Sequence, residues 1–106
     1  MTMDSGSRLL DYTKNIERGK IIRCHTSNEN CLDFMVIELH QKDERRYALL
    51  NLTGYKAGLI YAILPQHSQP SNAEGYAIDK DWLISNWIKW GYFDCPIDNV
   101  YVIENL

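Results

Sequence analysis

No run of 18 apolar residues occurs in this 106-residue chain, so no segment is suited to crossing a bilayer as a helix. The N-terminal stretch MTMDSGSRLL carries an acid at Asp4 and no apolar core of the secretory kind, and the expectation is a protein that stays in the cytoplasm. Cysteine is scarce: Cys24, Cys31 and Cys95 are odd in number and form no C-x-x-C pair, which argues against a disulfide framework or a structural zinc site. Reduced, partly buried thiols are expected instead. The phosphate-binding and hydrolytic signatures G-x-x-x-x-G-K, G-x-G-x-x-G, G-x-S-x-G and H-E-x-x-H are all missing. His25, His40 and His67 are the only imidazoles. Cys24 and His25 are neighbours on a predicted strand and should face opposite ways, while Cys24 could meet His40 across a hairpin only if the register allowed it. Cys24, His25, Cys31 and His40 are spaced unlike any compact zinc knuckle. Paired carboxylates exist, as Asp79 with Asp81 and Asp94 with Asp98, but nothing around them signals acid–base chemistry. No catalytic residue, cofactor or metal is expected, and the chain reads as something other than an enzyme.

The composition is that of an ordinary soluble globular protein, 45% apolar and 24% charged, and residues 1–106 read as one domain with a modest core. The net charge of −3 hides an asymmetry. Residues 1–56 hold eight acids and nine bases, whereas residues 57–106 hold Glu74, Asp79, Asp81, Asp94, Asp98 and Glu104 against Lys80 and Lys89, a balance of −4. An acidic half repels phosphate backbones, so direct nucleic-acid binding is disfavoured and a basic partner is favoured. Asp79 and Asp81 would equally well complement the N-terminus of a helix.

Taken in order, Ser7 to Gly19 offers a Ser cap, then Leu9, Tyr12 and Ile16 at helical spacing, then glycine, which predicts a short amphipathic helix. Strands are predicted at Lys20 to Thr26, Cys31 to His40, Arg46 to Leu52, Gly58 to Leu64 and Asn99 to Glu104. The apolar middle of Cys31 to His40 implies cover on both faces, and the uniformly apolar Gly58 to Leu64 implies a central strand that ends at Pro65. The connection Gln41 to Arg45 is charged, and Gln66 to Gly75 is a long polar surface loop. Short connections favour an antiparallel meander. The predicted class is α+β: an antiparallel sheet of about five strands carrying one main helix near residues 80–90, with the short N-terminal helix beside it.

All three tryptophans fall in that main helix or at its end. Asp79 is a good N-cap, and Gly91 suits a position after the last turn, where a left-handed conformation is often needed. On a continuous helix, Leu83, Ile84, Trp87, Ile88 and Trp90 share one apolar arc of roughly 160°. Trp82 lies off that arc, among polar neighbours. It either packs on the preceding loop or stands exposed as an interface anchor, and Tyr92, Phe93 and Tyr55 could extend such a surface.

The segment from Ile78 to Trp90, with Tyr92, Asp94, Cys95, Pro96 and Val100 after it, resembles the tryptophan-rich C-terminal signature of small immunity proteins from bacterial polymorphic-toxin and contact-dependent growth-inhibition systems. The specific likeness covers about the last third of the chain. It implies a cytoplasmic inhibitor that binds one cognate toxin domain, often a nuclease, and covers its active site or substrate-binding surface. On that reading Asp79, Asp81, Asp94 and Asp98 supply charge complementary to a basic cleft, with Trp82 and Tyr92 as desolvated anchors. The loops 66–75 and 41–45 are rival sites of specificity. Two other readings stand beside it: a small enzyme or ligand-binding domain using a sheet–helix pocket near His40 or Cys24, and a subunit that oligomerises through the Trp82 side or a strand edge.

Overall fold

The structure, a computed structural model, describes residues 6–27, 30–41, 44–70 and 76–104. The chain runs through β1 (Ser7–Arg8), a 3-10 turn (Leu9–Asp11), β2 (Ile16–Glu17), β3 (Ile21–His25), β4 (Cys31–Gln41) and β5 (Glu44–Asn51). It continues through β6 (Ile60–Ile63), a 3-10 turn (Gln66–Ser68), β7 (Ala77–Ile78), α1 (Lys80–Ser85), α2 (Trp87–Trp90), a 3-10 turn (Ile97–Asn99) and β8 (Val100–Ile103). Two antiparallel sheets result, one of six strands in the order β1-β8-β3-β4-β5-β6 and a small ribbon of β2 with β7. The class is α+β, as expected. The segment β3 to β6 is the expected meander, and β8 returns on the far side of β3 to pair with it from Ile21↔Ile103 to Cys24↔Val100.

Alternation along the strands decides which side chains meet the helices. Ile22, Cys24, Phe34, Val36, Tyr47, Leu49, Val100 and Val102 form the sheet's share of the core. Leu9, Tyr12, Ile16, Leu64, Ile78, Leu83, Trp87 and Cys95 cover them from one side.

Three expectations fail here, each for a physical reason. The segment Ser7 to Gly19 is not a helix. Leu9, Tyr12 and Ile16 are buried as their spacing demanded, but the backbone of Ser7–Arg8 pairs with β8 and that of Ile16–Glu17 pairs with β7, so sheet pairing overrides a weak helical preference. The pairing of Ser7–Arg8 brings the sheet to six strands, in keeping with the expected sheet of about five. β6 is an edge strand, not a central one, and its Leu59–Ile63 neighbourhood leaves Ile60, Tyr61 and Ile63 exposed. Lastly, β4 is covered on one face only among the described residues, with Met35, Ile37 and Leu39 half-exposed on the other. Of the loops, positions 42–43 and 71–75 lie outside the described residues.

The main helix is also interrupted. Asp79 caps it as expected, accepting from the N–H groups of Asp81 (3.0 Å) and Trp82 (3.4 Å). At Asn86 the backbone leaves the helical region (φ −112°, ψ 13°), and the side-chain Nδ2 donates to the Trp82 carbonyl at 2.8 Å. A side-chain amide that competes for a helical carbonyl is a known breaker of the ladder. The consequence falls on the apolar arc. Trp87 stays buried, but the new start turns Ile88 outward, where it is 97% exposed.

Candidate partner-binding site

Gly91 ends α2 for a reason other than the one its residue type suggests. Its φ of −89° is ordinary, so no left-handed conformation is needed. A Cβ there would lie 2.2 Å from Cδ2 and 2.3 Å from Cε2 of the Trp87 indole, so only glycine lets the chain pass over that ring. The indole is fixed from its other side, where Nε1 donates to the Cys95 carbonyl at 2.7 Å. Trp87 thus anchors the loop 91–96 to the helix. The sheet holds the same loop through the Tyr61 hydroxyl, which donates to the Gly91 carbonyl at 3.0 Å. Tyr61 can reach it because the β5–β6 register skips at that residue, pairing Leu49 with Ala62 and Leu50 with Ile60. A bulge of this kind re-aims one side chain. Burial pushes the Tyr61 hydroxyl up from its ordinary pKa, which keeps it a donor.

A row of rings follows from this clamp. Phe34 and Tyr61 lie 5.2 Å apart, Tyr61 and Tyr92 6.1 Å, and Tyr92 and Phe93 4.9 Å. Phe34 is buried, Tyr61 keeps 37% of its surface exposed, Tyr92 is half-buried and the last, Phe93, is 86% exposed. Between this row and α2 lies an open groove of about 450 Å³, walled by Ile84, Trp87, Ile88, Phe93 and Ile97. Tyr92 also borders a second cleft of about 300 Å³ on the sheet side, with Tyr55 and Tyr61. An apolar floor with two almost fully exposed apolar side chains at its mouth is the composition of an interface core, not of a solvated surface.

The residues marked from sequence fall into three places. Asp79 is occupied as the helix cap, whereas Asp81 projects into solvent. Trp82 is half-buried, between the His67 ring (5.7 Å) and the Trp90 ring (6.4 Å), so it is neither a core residue nor a free anchor. Tyr92 and Asp94 belong to the clamped loop, and both oxygens of Asp94 accept from the Ser27 hydroxyl at 3.0 and 3.1 Å. Asp98 is exposed in the turn before β8. The structure puts Tyr92 in the lining of the groove, turns Asp94 to Ser27, leaves Asp98 in the turn before β8, and keeps Asp79, Asp81 and Trp82 at the start of α1. Sequence reasoning missed Ile88. It was placed in the core arc, and only the Asn86 break, signalled by an Asn inside a helical pattern, could have exposed it.

The sites weighed for chemistry do not come together. Cys24 lies opposite Leu32 on β4, and His40 is eight residues further along that strand, roughly 27 Å at 3.4 Å per residue. Cys24 is buried beside Cys95; the hydrogen bond it gives Cys95 and its burial both push its pKa up, so it stays a thiol. His25 faces the other way and meets Cys31 across the hairpin, Nδ1 to Sγ 3.2 Å, on an exposed face. His40 borders a polar cleft of about 460 Å³, but its Nε2 is engaged by Glu38, whose carboxylate also takes Arg18 at 3.4 Å. Among the described residues no group of three or more His, Cys, Asp or Glu could hold a metal ion, and no helix is long and apolar enough to cross a membrane.

The fold and the groove are those of a small α+β binding protein. The family model of Immunity protein 45 matches residues 10–102, from the first turn to β8, and the chain belongs to that family of toxin-neutralising immunity proteins. No curated protein and no solved structure matches the chain.

Proposed function

We propose that the chain neutralises a basic toxin domain, an RNase or DNase of a bacterial polymorphic-toxin or contact-dependent growth-inhibition system, by docking the groove between α2 and residues 92–97 over the toxin's substrate-binding surface in the cytoplasm. The observation that carries this reading is the pair Ile88 and Phe93, 97% and 86% exposed on facing walls of an apolar groove. Side chains of this type, seated in a partner's pocket, dominate binding energy. Asp94 and Asp98 rim the same loop, and with Asp79 and Asp81 they make up most of the −4 balance of the second half. Such a rim speeds encounter with a cationic cleft and disfavours acidic competitors. Tyr92 then acts as a half-buried support behind the exposed anchors, while Trp82 stays outside the groove.

The test is binding to a catalytically dead form of the toxin domain encoded beside this chain, measured by calorimetry. Ile88→Asp and Phe93→Ala should each weaken binding by about 10- to 100-fold, the range of a hot-spot truncation. Both positions are exposed, so unfolding midpoints should not move. Unchanged affinity in both variants would remove the groove from the interface.

A further inference from the structure

Some of the largest exposed apolar side chains adjoin one another instead of being scattered. Tyr55 is 94% exposed, Leu59 60% and Tyr61 37%, all in the stretch 55–61. Tyr61 hands this surface on to Tyr92 and Phe93 through the ring row already described. Tyr92 lines both the cleft beside Tyr55 and the groove beside Ile88. One aromatic strip thus runs from the loop 53–58 to α2, whereas apolar residues exposed singly would be ordinary surface.

Tyr55 stands on a loop that is already fixed. The Asn51 N–H donates to the Leu59 carbonyl at 2.9 Å, and the Asn51 side-chain Nδ2 donates to the same oxygen, also at 2.9 Å. The Gly58 N–H returns to the Asn51 carbonyl at 2.7 Å, which closes the base of the loop. Inside it, the Ala57 N–H meets the Gly54 carbonyl at 3.1 Å and the Leu59 N–H meets the Lys56 carbonyl at 3.0 Å. The first limb is tied to β4, because the Leu52 N–H donates to the Asp33 carbonyl and the Thr53 hydroxyl accepts from the Asp33 N–H. A ring held out in water by a pinned backbone adds no burial to the fold. A partner that takes it has little left to order, since a tyrosine side chain has only two torsions.

We propose that Tyr55 is a second anchor for the toxin domain, seated in one contact with Ile88 and Phe93 across the Tyr92 wall; this builds on the groove reading above. The toxin is the partner that the family supplies, and the strip is continuous with the groove. Charge selects the part of the toxin that lies here. The Lys56 ammonium stands 6.0 Å from the Tyr55 ring centroid, so this end of the strip carries a cation. It is repelled by the centre of a basic cleft and fits the margin, where a pocket for the phenol ring adjoins a carboxylate or carbonyl that accepts from Lys56.

Calorimetry of the full chain with the catalytically dead toxin domain tests it. Tyr55→Ala should weaken binding about tenfold or more, the range of a truncated tyrosine anchor, and leave the unfolding midpoint in place because the ring is exposed. Asn51→Ala, which removes the Nδ2 bond to Leu59, should weaken binding about 2- to 10-fold in the parent but not in Tyr55→Ala, since only a ring that binds needs its loop held. Equal losses from Asn51→Ala in both backgrounds would mark a general loosening and overturn the proposal. Unchanged affinity in Tyr55→Ala, with Ile88→Asp still weakening binding, overturns it and leaves the groove standing. A loss in Tyr55→Ala with Ile88→Asp and Phe93→Ala both indifferent removes the groove from the interface and keeps Tyr55 in it.

Discussion

Replacing Gly91 with alanine tests how the groove is built. The added methyl would lie 2.2 to 2.5 Å from three atoms of the Trp87 ring, far inside contact distance, so the ring or the loop must move. Neither moves freely. The indole is buried and donates to the Cys95 carbonyl, while the Gly91 carbonyl accepts from Tyr61 and its N–H donates to the Trp87 carbonyl at 2.7 Å. Overpacking at a pinned site costs about 2–3 kcal/mol, and loss of the indole hydrogen bond adds about 1. A total near 3 kcal/mol should lower the thermal midpoint by roughly 12–18 °C in a domain of this size. Gly19→Ala is a useful contrast: its φ is +89° with nothing within 4 Å, so only local backbone strain of about 1–2 kcal/mol is expected. Urea unfolding followed by tryptophan fluorescence and by far-UV circular dichroism reads both. The same clash makes Trp87→Leu and Gly91→Ala non-additive, because the smaller side chain removes what the methyl meets. A Gly91→Ala protein within about 0.5 kcal/mol of the parent, or additive energies in the double variant, would refute this account of the turn. Because Phe93 lies two residues beyond Gly91, the displaced loop should also weaken toxin binding more than its distance from the anchors suggests.

Two further outcomes follow from ionisable pairs. The Tyr12 hydroxyl donates to Glu104, holding that carboxyl below its ordinary value with help from Lys14, while burial and the same bond push Tyr12 up. The native state therefore binds fewer protons at Glu104 than the unfolded chain does; the stability this gives is present above the ordinary value of 4.5 and is lost as pH falls below it. Stability measured by urea titration should fall less steeply with acid in Glu104→Gln than in the parent, and equal slopes would dismiss the pair. For Arg23 and Asp33, whose side chains are only 23% and 14% exposed, Arg23→Met should lower stability by about 1–3 kcal/mol because it strands a part-buried carboxylate. Asp33→Leu added to Arg23→Met should recover part of that loss, and chemical denaturation of the three variants checks it.

Much of the fold was legible because it rests on short-range rules. β3, β4, β5 and β8 sit within a residue or two of their predicted spans, since period-two alternation and polar turn clusters mark such strands directly. Asp79 caps α1 as its residue type requires. The failures all involve a competitor that lies far away in the chain. Leu9, Tyr12 and Ile16 have helical spacing, but the β8 and β7 backbones claim the strands on either side of them. Ile60 to Ile63 read as central because an apolar run reports what a segment could bury, not whether anything is there to bury it.

The candidate site divides in the same way. Residue types near the end of the chain announce an acidic, aromatic-rich segment, and of its marked residues Tyr92 lines the groove. Which apolar side chain is exposed was not announced. A one-residue break at Asn86 turns Ile88 from the core to solvent while Trp87 stays inside, and no helical wheel contains that break.

The sequence by itself determined the α+β class, the capped start of the tryptophan helix, most of the sheet and the charge imbalance, because each depends on residues close together in the chain. Tertiary structure alone decided the edge position of β6, the glycine that must pass over Trp87, and the exposure of Ile88. Those depend on which distant backbone or ring occupies a space first, and packing settles that only when the whole chain is in place.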